Sequence, residues 1–411
     1  MNVHLQKSEV KNQELKVTIT GSKSETNRLL LLQALYPNLT IDNISNSDDS
    51  EVMQKALKVL SEKSTTVDVH HAGTAMRFLT AFFAIQEEKE IVLTGSSRMK
   101  ERPIKILVEA LQQLGAEISY VENDGYPPIQ IKGKKLTQNK VSLPANVSSQ
   151  YISALLLIAP KLENGLELTL EGEITSVPYI KMTLALLNEI GIETTFENNK
   201  ITVCHAKLVE ATRLTVESDW SSASYWYSIV ALSEIGTQIT LSSYKKNSLQ
   251  GDASLSEIYK DFGVETLFNE NNTITISKTK NCQLSIVNYQ LNNCPDIAQT
   301  IAVTCFGLGI ACHLTGLHTL KIKETDRLEA LKTELSKLGA IIVVSENSLT
   351  LNQSNRILSD IKISTYQDHR MAMAFASLAL KVPLIIEDAE VVSKSYPTFW
   401  ENLKMIGFKI N

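Results

Sequence analysis

The chain has 411 residues, too many for one ordinary core and enough for two or three domains. Its composition, 43% hydrophobic and 21% charged with a formal net charge of −5, gives no general positive field for gripping nucleic acid or acidic lipid. Any anion binding must therefore be local.

In chain order, short charged clusters alternate with apolar helical segments. The polar start MNVHLQKSEVKNQELKV carries no apolar signal core. GSKSETNR (21–28) leads into LLLLQAL, and VMQKALKVLSEKSTTVDV reads as helix then strand with a turn near Ser61. HAGTAMR (71–77) runs into FLTAFFA. SRMKERP (97–103) precedes IKILVEAL, with Pro103 suited to a first helical position. SSQ (148–150) opens YISALLL, KETDR (323–327) opens LEALKTEL, and DHR (368–370) opens MAMAFASLAL.

One pattern recurs: an amphipathic helix, a glycine, then a hairpin with a polar turn. It turns at Gly115, Gly191, Gly263 and Gly339, with weaker copies near Ser61 and at Gly407. A period of about 70 residues is too long for the common solenoids. Each unit also holds a second, nearly all-apolar helix, such as TAMRFLTAFFAI or DIAQTIAVTCFGLG, which should be buried behind the amphipathic ones. We expect two α/β domains of three units each. Helix–glycine–strand is also simply common in α/β proteins.

The cations gather at helix starts, where the dipole disfavours them. Helix N-termini offer free N–H groups to phosphates and carboxylates, and arginine adds a planar fork. Five basic clusters in an acidic protein therefore suggest that the missing negative charge is a ligand. Singly, each has a plainer reading: Arg28 and Arg77 as snorkelling side chains, Lys100 to Arg102 as a solvated face, Ser148 and Ser149 as caps. GSKS is not a P-loop, since Lys16 stands where the first glycine is required.

Among these cations stand Glu324, Asp368 and Asp296, the last at the start of an apolar helix and also readable as an N-cap. Carboxylates among anion clamps fit acid–base chemistry on a polyanionic substrate. Cys204, Cys282, Cys294, Cys305 and Cys312 form no CxxC pair and no metal-like spacing with the seven histidines. Reduced thiols in a cytosolic protein are expected, with no metal and no cofactor. The apolar run 301–314 falls short of the roughly 20 residues of a membrane span.

Read in order, LTGSSRMKERPI, AGTAMR, SSQYISALL, KIKETDRL, YQDHRMAMAF and Lys394 in SKSYPTFW resemble the signature blocks of the enolpyruvyl transferase family, on the branch acting on shikimate 3-phosphate. The blocks span residues 21 to 397, and the ordered set is specific where single blocks are not. The resemblance implies two domains, each of three βαβαββ units in an inside-out α/β barrel. The N-terminal domain would be 21–218, and 1–20 with 219–411 would form the other, with the active site in a closing cleft between them. It also implies transfer of the enolpyruvyl group of phosphoenolpyruvate to the 5-hydroxyl of shikimate 3-phosphate, toward chorismate and the aromatic amino acids. Both substrates are small anions, and a cytoplasmic monomer without nucleic-acid or membrane partners is expected.

Carried over by position, Lys23, Ser24, Arg28, Ser148, Ser149, Gln150, Ser176, Asp296 and Lys323 resemble the shikimate 3-phosphate ligands. Lys23, Gly73, Arg102, Gln150, Arg327, Arg370 and Lys394 resemble the phosphoenolpyruvate clamp. Asp296 resembles the base on the hydroxyl and Glu324 the proton relay to carbon 3, with Lys23 as a third catalytic residue. The chain departs from the family pattern at His71, usually Asn, and at Phe78, usually Pro, so the resemblance implies nothing about sensitivity to glyphosate. The sister branch acting on a UDP-sugar typically has a cysteine in the loop matching SSRMKERP, and this chain has none there. A non-catalytic binder of phosphorylated metabolites would need the cations but not Asp296 and Glu324.

Overall fold

The computed structural model describes residues 1–11, 15–59, 64–146, 148–172, 174, 177–207 and 209–411. The expected turn near Ser61 and the expected ligand Ser176 lie outside the described residues. The chain divides into two compact units, Gly21–Val216 and Met1–Thr20 with Glu217–Asn411.

The continuous unit holds α1 (Lys23–Leu35), α2 (Asp48–Lys58), α3 (Gly73–Ala84), α4 (Ser97–Lys100), α5 (Lys105–Gln113), α6 (Ser149–Ile158) and α7 (Val177–Glu189). Helices α1, α3 and α6 touch one another, forming a central triad. GTAMRFLTAFFA and SQYISALLLI are apolar all round, as such a position requires, and nearly every residue of α3 and α6 is buried. The sheets have alternating faces, as in Leu166–Glu171, where every second residue is buried. The chain enters this unit at Gly21 through a tight approach. A Cβ there would lie 1.9 Å from the Asn43 carbonyl oxygen and 2.7 Å from Val216 Cγ1, so no larger residue fits without movement.

The discontinuous unit repeats the plan with α8 (Trp220–Leu232), α9 (Leu255–Ile258), α10 (Ala298–Leu308), α11 (Arg327–Lys337), α12 (His369–Ala376) and α13 (Phe399–Ile406). Here α8, α10 and α12 form the central triad. Small and hydroxylated residues let these helices approach, and their hydroxyls satisfy one another. Ser224 meets Thr300, Ser228 donates to Ser377, and Thr304 donates to Ser228 and meets Tyr259. Lys278, at the end of a strand, is buried and donates to the carbonyls of Ala231 and Phe262 at 2.8 and 2.7 Å. It thus satisfies one of the last carbonyls of α8, and burial lowers its pKa to about 8.

Among the described residues four sheets share one strand pattern, two parallel strands and then a hairpin laid antiparallel to the second; in three of them a helix joins the parallel pair directly, whereas Leu15–Val17 and Gln238–Leu241 are separated by the whole of Gly21–Val216. Ser64–Asp68, α3, Glu90–Thr94, α5, Glu117–Tyr120 and Ile129–Lys132 spell βαβαββ directly. Two smaller sheets complete the set of six: Thr212–Thr215 with Leu39–Asp42, and Ile361–Ile363 with Leu384–Ile386 and Val3–Leu5. The repeat glycines 115, 191, 263, 339 and 407 all have positive φ, the left-handed conformation in which helices end and hairpins begin.

Candidate active site

In the continuous unit the predicted ligands stand at the starts of α1, α3 and α6. Lys23 Nζ lies 3.3 Å from Asp49 Oδ2, and His71 Nε2 lies 3.8 Å from Asp49 Oδ1, so one buried carboxylate joins the starts of three helices. His71 Nδ1 is 2.9 Å from His70 Nδ1. Arg102 lies against Gly73: a Cβ on that glycine would be 2.5 Å from Arg102 Nη1. Gln150 donates to Thr74 Oγ1 at 3.1 Å, tying α6 to α3. Ser149 is buried, and Ser148 caps α6, its hydroxyl accepting from the Gln150 amide.

Arg28 and Arg77 are buried here. Arg28 donates to Thr183, Ser153 and the Ser24 carbonyl, between the rings of Phe78 and Tyr179 at 5.3 and 5.9 Å. Arg77 donates to the carbonyls of Gly73 and Pro103. Burial lowers both guanidinium pKa values to about 10, and for Arg77 the charge of Arg102 adds to the effect.

In the other unit, a second cluster centres on Arg327, only 2% exposed. Its Nε donates to Asp368 Oδ2 at 2.6 Å, Nη1 to Asp296 Oδ1 at 2.8 Å, and Nη2 to Glu324 Oε2 at 2.8 Å. Burial alone would lower its pKa, but Asp368, Glu324 and Asp296 outweigh that and raise it. Asp296 also receives Lys323 Nζ at 3.5 Å and Arg370 Nη2 at 3.5 Å, while Arg370 Nη1 donates to its carbonyl. Lys394 donates to the Gln367 carbonyl at 2.7 Å. A carboxylate behind these groups, Asp252, accepts from Ser221 and is pushed up to about 6 by burial and by Asp296.

Three local expectations change. Asp296 is not an N-cap: it lies in a 3-10 turn, and no side chain caps the start of α10. Pro103 is not a first helical residue, since SRMK forms its own short helix and α5 begins at Lys105. KETDR is mostly an approach to α11. Arg327 is its first residue and Asp326 caps it, accepting from the amides of Leu328 and Glu329. Asp49 and Asp252 were not among the expected site residues. Both sit in short polar stretches that read as caps and turns, and only tertiary contacts reveal their partners.

The family model described as EPSP synthase (3-phosphoshikimate 1-carboxyvinyltransferase) matches residues 59–403. A Bacteroides fragilis 3-phosphoshikimate 1-carboxyvinyltransferase is 44% identical over 403 residues, covering 97% of each chain. The chain belongs to the EPSP synthase family. A Haemophilus influenzae member is 36% identical over 429 residues, covering 96% of both. The fold matches EPSP synthase from Acinetobacter baumannii with TM-score 0.82 at 20% identity, covering 100% of this chain and 99% of that one. It also matches the enolpyruvyl transferase NikO from Streptomyces tendae with TM-score 0.76 at 13% identity, covering 100% and 98%. Of the two positions expected to depart from the family, Phe78 packs on Arg28 and His71 reaches Asp49, the carboxylate that pairs with Lys23. Among the described residues no helix is long and apolar enough to cross a membrane.

Proposed function

We propose that this chain transfers the enolpyruvyl group of phosphoenolpyruvate to the 5-hydroxyl of shikimate 3-phosphate, releasing phosphate. The observation that carries the reading is the Arg327 cluster, in which three carboxylates share one buried arginine and Lys323 and Arg370 converge on the same Asp296. Such an arrangement supplies cations for phosphate and carboxylate oxygens beside groups that can move protons. Family membership, with relatives named for this activity at 44% and 36% identity, supports it.

In the proposed reaction the 5-hydroxyl oxygen attacks carbon 2 of phosphoenolpyruvate as carbon 3 gains a proton. The tetrahedral intermediate then loses a proton from carbon 3 and phosphate from carbon 2, restoring the double bond. Asp296 takes the hydroxyl proton, with Lys323, Arg327 and Arg370 beside it. Glu324, held by Arg327 and partly exposed, relays the proton at carbon 3. Lys23, Ser24, Arg28, Ser148, Ser149, Gln150, Ser176 and Lys323 hold shikimate 3-phosphate, while Lys23, Gly73, Arg102, Gln150, Arg327, Arg370 and Lys394 hold phosphoenolpyruvate. These steps use no cofactor. The setting we infer is a cytoplasmic monomer acting on two dissolved anions.

The test is phosphate release from purified protein mixed with both substrates and no added metal. Release that needs both substrates, yields an enolpyruvyl product and falls by about 10²–10⁴-fold in Asp296→Asn is expected for a general base. Release with UDP-N-acetylglucosamine as acceptor instead would move the chain to the sister reaction. Tight binding of both substrates without release would leave a binding protein.

A further inference from the structure

Glu334, on α11, is a fully buried carboxylate that the proposed reaction does not use. It lies seven residues after Arg327, about two turns, on the same helix face. Lys337 Nζ donates to both its oxygens at 2.8 Å, but its remaining donors come from elsewhere. The Ser364 amide reaches Oε2 at 3.1 Å and the Tyr366 hydroxyl reaches Oε1 at 2.6 Å. Ser364 is fixed a second time through its hydroxyl, which donates to Glu387 at 2.9 Å.

The segment so held is strained. Tyr366 and Gln367 are consecutive non-glycine residues with φ of +55° and +57°, a conformation that side chains of this size rarely adopt and that surrounding contacts must impose. It leads directly into functional groups. Gln367 offers its carbonyl to Lys394, Asp368 accepts from Arg327 and from the Arg370 amide, and Arg370 reaches Asp296. One buried carboxylate therefore pins a left-handed strap whose far end sets three charged side chains.

We propose that Glu334 is a positioning residue, which by clamping Ser364 and Tyr366 sets Arg370 and Lys394 for phosphoenolpyruvate. The assignment rests on the reaction proposed above for these two cations. Strap and clamp form one device: α11 carries Arg327 into the cluster at its start and holds the strap two turns later, so both sides of the Asp368–Arg327 contact are referred to one helix.

The test compares Glu334→Gln, Tyr366→Phe and Lys337→Met. Lys337 touches the same carboxylate but not the strap, so it reports loss of the ion pair alone. Expected for Glu334→Gln and Tyr366→Phe is a KM for phosphoenolpyruvate raised about tenfold or more, with KM for shikimate 3-phosphate within about twofold of the parent. Amide exchange in 364–370 should rise in the same two variants and stay near parental in Lys337→Met. Tyr366→Phe keeps the ring and leaves Glu334 its bonds from Lys337 and the Ser364 amide, so it serves if Glu334→Gln fails to fold. Unchanged exchange in 364–370, or KM values for both substrates rising alike, overturns the positioning role. A parent protein that turns over neither substrate sinks the proposed reaction itself, and this assignment with it; an active parent with indifferent variants sinks only the assignment.

Discussion

Arg327 and Asp368 are nearly or wholly inaccessible, at 2% and 0% exposure, and the contact between them at 2.6 Å is the shortest of the arginine's three. Removing one partner of a buried pair costs about 3–5 kcal/mol, because the other charge is left uncompensated. Asp296 and Glu324 remain to share Arg327, which offsets part of this, whereas the lost cap on α12 adds about 1 kcal/mol. Asp368→Ala should therefore lose about 3–4 kcal/mol in urea unfolding. A loss under about 1 kcal/mol would mean that two carboxylates suffice. Phe78 offers a milder probe. Its ring faces the Arg28 guanidinium in a dry site, where a cation–π contact is worth about 2 kcal/mol. Phe78→Leu retains apolar bulk and removes the π face, so unfolding should show a loss of about 1–2 kcal/mol. No loss would assign the anchoring of Arg28 to Thr183, Ser153 and the Ser24 carbonyl.

Among elements, the end of α8 has its own pH signature. Burial depresses Lys278 from its ordinary value to about 8, whereas the unfolded chain restores it to about 10.4. Between those values the unfolded state binds more protons, so this group's contribution to stability rises with pH and is lost as pH falls through 8. Thermal unfolding at pH 7.5 to 9.5 should rise more steeply for the parent than for Lys278→Met, and parallel curves would refute the assignment. The elements themselves were largely legible. Helical spacing ahead of Gly115, Gly191 and Gly339 announced three helix–hairpin units because a left-handed helix stop is a local requirement, whereas ahead of Gly263 the helix is only Leu255–Ile258 and turns carry the chain to the glycine. Boundaries near charges were less so: α11 begins only at Arg327, the last residue of KETDR, and Pro103 lies between α4 and α5. The cations at helix starts could be read locally, but the carboxylates that answer them could not. Asp49 pairs with Lys23 across 26 residues of sequence and Asp252 senses Asp296 across 44, separations that no spacing rule encodes.

At the scale of the whole molecule, the two units differ in how the chain builds them. Gly21–Val216 has its own central triad and its sheets are completed from within. As an isolated fragment it should unfold cooperatively in urea, with a sigmoidal far-UV transition. A fragment of 217–411 lacks Val3–Leu5 and Leu15–Val17, each the edge partner of a strand. It should be markedly less stable, and adding a peptide of residues 1–20 should restore some of the loss. Equal stability of the two fragments would show that these strands contribute little.

The same arrangement has a consequence for synthesis on the ribosome. Residues 1–20 are made well before their partners: Leu15–Val17 must await Gln238–Leu241, and Val3–Leu5 must await Leu384–Ile386 and a bridge to Ile410. Throughout that interval the leader is an unpaired pair of strand segments tethered to a unit that can already fold. Each strand is three residues long and puts one exposed polar residue, His4 or Lys16, between two buried apolar ones, a short and polar edge of the kind that discourages pairing elsewhere. The two N-terminal strands are thus placed at different times, Leu15–Val17 once Gln238–Leu241 is made and Val3–Leu5 only once Leu384–Ile386 is, so a chain cut before residue 384 leaves Val3–Leu5 without its ladder.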